Sequence, residues 1–406
     1  MLAPSLMRPR FSAIVGAVLL AAGLDAALGQ PSPPSNPYAR WENGPPHDDT
    51  FFPIAVWLQP PGKAKPYLAA GFNTYVALWN GPTEEQLAEL KRAGMKLICD
   101  QNDVGRKHLA DLTIIGWMHG DEPDNAQSLG PGKGYGPPVA PEKIVRDYQR
   151  IRAADPTRPV MLNLGQGVAY DNYIGRGVRR NRPEDYPEYV RGCDIASFDI
   201  YPVVHDKPEV AGQLGFVARG VERLVQWAGP ERLVWNCIEC TRIGNPTRKA
   251  TPRQVRAEVW MSLIHGSRGI IYFVHEWQPR FNESALLSDP EMLTAVTVLN
   301  KQITRLAPVL NSATITNAVS VASENTELPI AVMAKQKDGA LYLFAVGMRD
   351  GRTTATFTLA GSAGADTVEV LDENRTLAAK DGVFQDRFAP WDAHLYRLKA
   401  ASATSR

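Results

Sequence analysis

Eight short apolar runs, spaced by helical patterns and turns, constrain this chain more than any other feature. They are Phe52–Trp57, Phe72–Trp79, Lys96–Asp100, Thr113–Trp117, Pro159–Leu164, Asp194–Tyr201, Arg232–Glu239 and Gly269–Val274. Their hydrophobic residues are continuous rather than alternating, which marks strands covered on both faces, as in a parallel sheet. Thr83-Glu84-Glu85-Gln86 is a capping box that leads into Leu87 and Leu90, with Gly94 as the stop. Residues 142–154, 209–229 and 289–307 place apolar side chains three and four apart. Thr251-Pro252-Arg253-Gln254 supplies a cap, a proline at the first helical position and a glutamine at the third. Eight such strands with intervening helices, over about 250 residues, predict an α/β fold of the (β/α)8 TIM-barrel type.

The pattern changes after Leu310. Residues 330–334, 340–346, 353–359, 367–371 and 394–398 alternate in short strands, and Asp-Gly at 338–339 and 350–351 reads as hairpin turns. A C-terminal antiparallel β-sandwich over 311–400 is therefore expected to follow a barrel over 51–306, with the boundary at Ala307-Pro308. Residues 30–50 are rich in Pro, Ser and Asn and read as a leader without packed structure. Residues 1–29 carry Arg8 and Arg10, then the apolar run Phe11 to Leu24, then small residues at Ala27-Leu28-Gly29. This is the pattern of a secretory signal peptide, which predicts a secreted or periplasmic protein. Asp25 interrupts the run before it reaches the roughly 20 residues a membrane span needs, so no membrane association is expected after cleavage.

Composition narrows the partners. With 44 Lys+Arg against 43 Asp+Glu, the chain has no basic surplus with which to wrap a nucleic acid. The seven His never occur as His-x-His, which weighs against a His-rich metal centre, and no cofactor or metal is expected. Cys237-Ile238-Glu239-Cys240 has metal-ligand spacing, but in a strand residues three apart point to opposite faces. Buried free thiols are the better reading. Gly130 to Gly136 is glycine-rich, but Pro137-Pro138 blocks the helix that a dinucleotide site requires, so it reads as a loop.

A barrel of this type builds its active site where the strands end at their C-termini. The runs deliver Trp57, Trp79, Asp100 and Gln101, then His119-Gly120-Asp121-Glu122-Pro123, Asn163, Tyr201, Glu239, and finally His275-Glu276-Trp277. Carboxylates and amides bind sugar hydroxyls, while indoles cover the apolar faces of sugar rings, so a carbohydrate is the expected ligand. Glycoside hydrolysis needs two carboxyl groups flanking one bond, and Glu122 after strand four with Glu239 after strand seven are the candidates. Asp121, next to Glu122, is expected on the opposite side of an extended strand.

Carboxylates at those two positions resemble the clan A glycoside hydrolases, the 4/7 (β/α)8 glycosidases. Gly120-Asp121-Glu122-Pro123 is similar to the clan's Asn-Glu-Pro signature, with Asp121 where the clan has Asn. The resemblance covers roughly residues 51–306 and implies a retaining mechanism, with Glu122 as acid/base and Glu239 as nucleophile. It implies substrate contacts from Asp121, Trp57, Trp79, Asp100, Gln101, His119, Asn163, Tyr201, His275, Glu276 and Trp277. For Glu276 the alternative is a pair with a nearby Arg. Two other readings of the residues stay open: a non-catalytic carbohydrate-binding barrel, or a metal-dependent hydrolase of another class. Sugar identity, linkage and oligomeric state have no signature in the sequence.

Overall fold

The computed structural model describes residues 36–173, 182–360 and 366–399. The expected signal segment, residues 1–29, lies outside them. The barrel strands are β1 (Ile54–Trp57), β2 (Thr74–Val76), β3 (Lys96–Asp100), β4 (Ile114–Asp121), β5 (Val160–Leu164), β6 (Ile195–Phe198), β7 (Leu233–Val234), β8 (Asn236–Glu239) and β9 (Ile270–Phe273). Every pairing is parallel, and β9 closes the ring on β1. Because β7 pairs with β6 and β8 with β9, these two are halves of one stave, and the barrel has the expected eight.

Helices α1 (Ala64–Ala69), α2 (Glu84–Ala93), α3 (Asp103–Lys107), α4 (Pro141–Ala154), α5 (Tyr186–Val190), α6 (Gly215–Ala228), α7 (Pro252–Ile264) and α8 (Pro290–Leu310) follow the strands. Both predicted capping boxes form: Thr83 with Gln86 opens α2, and Thr251 with Gln254 opens α7. Each satisfies N–H groups that a helix end otherwise leaves without partners. Helix α8 runs through Pro308 to Leu310, a few residues beyond the expected boundary, because a proline late in a helix leaves the preceding turns intact.

Residues 36–50 depart from the expected unpacked leader. They form turns rather than strands or helices, yet Tyr38 and Trp41 are buried in the apolar cluster inside the barrel. The Tyr38 hydroxyl accepts from the Trp235 indole at 2.8 Å and donates to the Arg268 carbonyl at 2.7 Å. Pro-rich composition hid a segment whose two aromatic rings fill the barrel floor.

The C-terminal region packs a three-stranded sheet against a five-stranded one. The first holds β10 (Val319–Ser323), β13 (Thr353–Leu359) and β16 (Val383–Phe388); the second holds β11 (Ile330–Lys337), β12 (Ala340–Gly347), β14 (Thr367–Val370), β15 (Arg375–Ala378) and β17 (Ala393–Lys399). Phe357, Phe384 and Tyr396 lie in its core. Asp338-Gly339, both at positive φ, makes the predicted hairpin between β11 and β12. Asp350-Gly351 does not, because β12 and β13 belong to different sheets. The sandwich docks on α7 and α8: Trp260 stacks on Phe344 at 5.3 Å, and Lys335 Nζ donates to the carbonyls of Leu310 and Ser312. This is a TIM barrel with a C-terminal β-sandwich.

Candidate active site

Strand β4 is irregular where it matters. Its register against β5 slips between Met118 and Gly120, so Gly120 pairs with Leu162 and Asp121 with Asn163. Passing over one residue switches the faces that follow. Asp121 therefore points inward, where the Asn163 amide donates to its carboxylate at 3.0 Å. The expected opposition of Asp121 and Glu122 rested on an extended strand, and the bulge removes it. Glu122 itself sits at φ +44°, a left-handed conformation that costs an ordinary residue of order 1–3 kcal/mol and is held by its surroundings. Its N–H donates to the Asn163 carbonyl at 2.9 Å, and its carbonyl accepts from Asn125 N at 3.0 Å. The Asn125 side chain donates to the Glu122 carboxylate at 2.7 Å and is in turn held by the Tyr173 hydroxyl. Gly165 leaves room for this carboxyl group, since a Cβ there would stand 3.0 Å from its Oε1.

A third carboxyl group meets these two from the neighbouring strand end. Asp199, just past β6, is hydrogen-bonded to Glu122 and repelled by both Glu122 and Asp121. Burial first, and then those two charges, push its pKa well above the usual carboxylate range. Asp121 is pushed up to about 6 by burial and by Glu122, against the stabilising Asn163 bond. It is nonetheless open to solvent, as a side chain on the floor of a cleft should be. Asp124 is also pushed up to about 6 by burial, although Gly165 N and the Tyr186 hydroxyl donate to it. Carboxyl groups this crowded cannot all ionise, so the cluster stores protons near neutral pH. Tyr201, with its phenol pushed far up by burial and by Asp199, remains a donor.

Aromatic side chains occupy the other side of the mouth, beyond the ends of β2 and β9. Trp79 is 48 % exposed, Trp277 45 % and Phe281 52 %. Buried His275 ties them together: it stacks on Trp79 at 6.4 Å, contacts Trp277 and Phe281 edge-on at 5.8 and 5.9 Å, and bonds the Leu58 carbonyl. Burial lowers its pKa, favouring the neutral ring. Rings held open to water in this way suit the apolar face of a sugar. Asp100, exposed at the end of β3, completes the rim.

Other predicted residues stand elsewhere. Trp57 is packed inside the barrel with 6 % exposure. Gln101 donates to the Ile151 carbonyl, and the His119 ring contacts the Ile144 carbonyl; both therefore turn outward to α4. Glu276 lies 3.6 Å from Arg242, the alternative the sequence offered. Glu239 is fully buried, and its two oxygens accept from the backbone N–H groups of Val203 at 2.6 Å and Val204 at 3.1 Å. Cys237 and Cys240 are free, buried thiols, Cys237 facing the Asn163 side chain and Cys240 the Phe273 carbonyl. Among the described residues, no group of three His, Cys, Asp or Glu side chains could hold a metal ion.

Asn125 and Phe281 escaped the sequence reading, and Asp199 was read at its strand end without its role. Asp199 was visible as a strand-end carboxylate, two residues before Tyr201, but nothing local tied it to Glu122. Asn125 completes the run Asp121-Glu122-Pro123-Asp124-Asn125 and was legible only as a turn residue. Phe281 lies in a loop, beyond any periodicity.

No protein-family model matches the chain, and no curated protein resembles it in sequence. Solved structures do share its fold. The Anoxybacillus α-amylase aligns over 88 % of this chain and 100 % of its own, with a TM-score of 0.53 at 11 % identity. The Geobacillus thermoleovorans α-amylase complexed with acarbose covers 89 % and 99 %, with a TM-score of 0.52 at 11 % identity. A putative α-galactosidase/melibiase from Bacteroides fragilis covers 87 % and 80 %, with a TM-score of 0.51 at 11 % identity. The chain has the barrel-plus-β-domain fold of these glycoside hydrolases.

Proposed function

We propose that the chain is a glycoside hydrolase whose proton donor is Glu122. One observation carries the reading: the carboxyl groups of Asp121, Glu122 and Asp199 converge on one side of the barrel mouth, and exposed Trp79, Trp277 and Phe281 stand on the other. A sugar ring laid on the aromatic side presents its glycosidic bond to the acids. Two fold neighbours support carbohydrate as the ligand class: AmyP is complexed with maltose and the Geobacillus α-amylase with acarbose.

In this reading Glu122 and Asp199 hold one proton between them, and Glu122 delivers it to the leaving oxygen. Asp121, ionised above about pH 6 and steadied by Asn163, faces the positive charge that grows on the sugar or activates water. Asp199 acts through Glu122 as its positioning and proton-sharing partner. Glu239 as nucleophile fits the structure less well, because attack would require its carboxylate to leave two backbone N–H groups. The N-terminal pattern of Arg8, Arg10 and the following apolar run supports a site of action outside the cytoplasm.

The test is a screen of aryl glycosides and polysaccharides with the wild type, Glu122→Gln, Asp199→Asn and Glu239→Gln. Loss of about 10²-fold or more in kcat is expected for Glu122→Gln. A Glu239→Ala variant that yields a glycosyl azide of inverted configuration would return the nucleophile to Glu239. Undiminished activity in Glu122→Gln would end the proposal.

A further inference from the structure

We infer that Glu239 and Glu258 share a single proton and together form a latch that positions the Val203–Val204 loop beside Asp199. The loop matters because it walls a cavity of about 300 Å³ whose lining includes Asp199, Tyr201, Val204, His205 and Asn245. Its conformation sets the shape of the cleft next to the proposed acid pair. The inference concerns the loop and stands whether or not the site hydrolyses glycosides.

Glu239 ends β8 and Glu258 lies mid-way along α7, both with no exposed surface. The Glu258 side chain faces that of Glu239, and neither of its buried oxygens meets a donor among the described residues. Two ionised carboxylates in contact inside a protein repel strongly, and each would carry a desolvation cost of several kcal/mol. One of them therefore keeps a proton. Burial pushes the Glu239 pKa up to about 8, but the Val203 and Val204 N–H groups oppose that rise and favour its charged form over that of Glu258, which has no such donors. Glu258 is then the protonated partner and donates to Glu239; burial, followed by the Glu239 charge, raises its pKa far above the carboxylate range.

Among the described residues, no facing group replaces that proton. Arg248, in the loop after β8, attracts Glu239 but spends its guanidinium on the His205 carbonyl. Lys249 is paired with Asp289, at the start of α8. Buried Cys240, on the same strand end, is a thiol pushed up by burial and by these carboxylates. His205, the titratable side chain of the loop itself, turns to Gln166 and Asp206. When Glu258 ionises, the pair must separate, and the two loop amides lose their acceptor.

The sign follows from linkage. A carboxyl group whose folded pKa is raised contributes stability that is complete below its unfolded value, about 4.3, and is lost as pH rises through the folded pKa. Glu258→Gln supplies a permanent neutral donor of the same shape. The experiment compares wild type and Glu258→Gln by hydrogen exchange of the segment holding Val203 and Val204, corrected for intrinsic rates, and by Tm, from pH 5 to 9. The inference expects wild-type protection to fall towards alkaline pH and the variant's to hold. The Tm of the variant minus that of wild type should rise with pH, on the order of 2 °C per pH unit. Infrared spectroscopy of the wild type gives an independent reading: a buried protonated carboxyl band, absent in Glu258→Gln, that disappears over the pH range in which protection falls. Parallel exchange and Tm profiles for the two proteins would overturn the inference. So would a wild type without that infrared band, which also decides the matter should the variant fail to fold.

Discussion

Replacing Asp155 with Asn should unfold this barrel more readily than any change at its mouth. Asp155 follows α4, at the end of the barrel away from the site. One of its oxygens accepts from the Trp117 indole at 2.9 Å and from Arg158 Nη1 at 2.8 Å; the other holds Thr157. Arg158 has no exposed side-chain surface, and Asp155 has 4 %. The guanidinium also donates to the carbonyls of Ile114, Leu109 and Asp111, which fastens the entry of β4 to the loop before it. Asn keeps the Thr157 contacts but turns donors towards Arg158 and Trp117, leaving a buried cation without its counter-charge. Removing one partner of such a pair costs about 3–5 kcal/mol, and the three remaining carbonyl acceptors place this case at the lower end, about 3 kcal/mol. At about 2 °C of Tm per kcal/mol for a barrel of this size, differential scanning calorimetry near neutral pH should show a fall of up to about 6 °C. Burial raises the Asp155 pKa, but the bonds from Thr157, Arg158 and Trp117 outweigh it and the net shift is downward. Its contribution is therefore present above the unfolded value of about 3.9 and is lost as pH falls through the folded one, so the two Tm curves should converge below about pH 4. Asp155→Leu with Arg158→Met should recover much of the loss, because an apolar pair leaves no charge stranded. A Tm change under about 2 °C in Asp155→Asn, or one independent of pH, would refute the reasoning.

Three further outcomes are expected. Glu122→Gly should abolish activity yet raise stability by about 1 kcal/mol, since glycine accepts φ +44° without strain and the crowding of Asp121 and Asp199 is relieved; urea denaturation measures it, and a less stable variant would count against strain at this position. Activity should rise with pH through about 6 as Asp121 ionises, and Asp121→Asn should flatten that limb rather than displace it; a pH–rate profile decides. Lys335, buried and with its pKa lowered to about 7 by burial and by Arg268, holds fewer protons folded than unfolded between about pH 7 and 10.4, so wild-type stability relative to Lys335→Met should grow across that window. A constant difference between the two Tm curves would remove the charge from the account of how the sandwich holds the end of α8.

The barrel was legible because its strands are buried on both faces. Runs such as Ile195–Phe198 and Ile270–Phe273 have no polar residue that water must reach, apart from Ser197, which bonds Asn163. The sandwich was legible in outline, but β10, β15 and β16 alternate among polar residues, and only the paired partner makes them strands. Tyr38 and Trp41 escaped for the opposite reason. A segment without periodicity gives no hint of burial when two rings alone anchor it.

The site shows where strand-end arithmetic runs out. Counting two residues per pleat puts Asp121 and Glu122 on opposite faces, whereas one residue passed over at the Met118–Gly120 slip brings Asp121 inward and leaves Glu122 turned at positive φ beside it. That slip has no composition of its own beyond Gly120, a residue type that often marks a strand irregularity. Glu239 makes the complementary point. Its position at the end of the seventh stave is what a catalytic carboxylate would have, but position along a strand does not decide what the oxygens meet. Two amides of the preceding loop and a buried Glu258, nineteen residues further on, claim this carboxylate first. A carboxylate whose two oxygens already accept from backbone amides is a poor nucleophile, and this is why the proposed proton donor is sought among the carboxyl groups that meet water and one another.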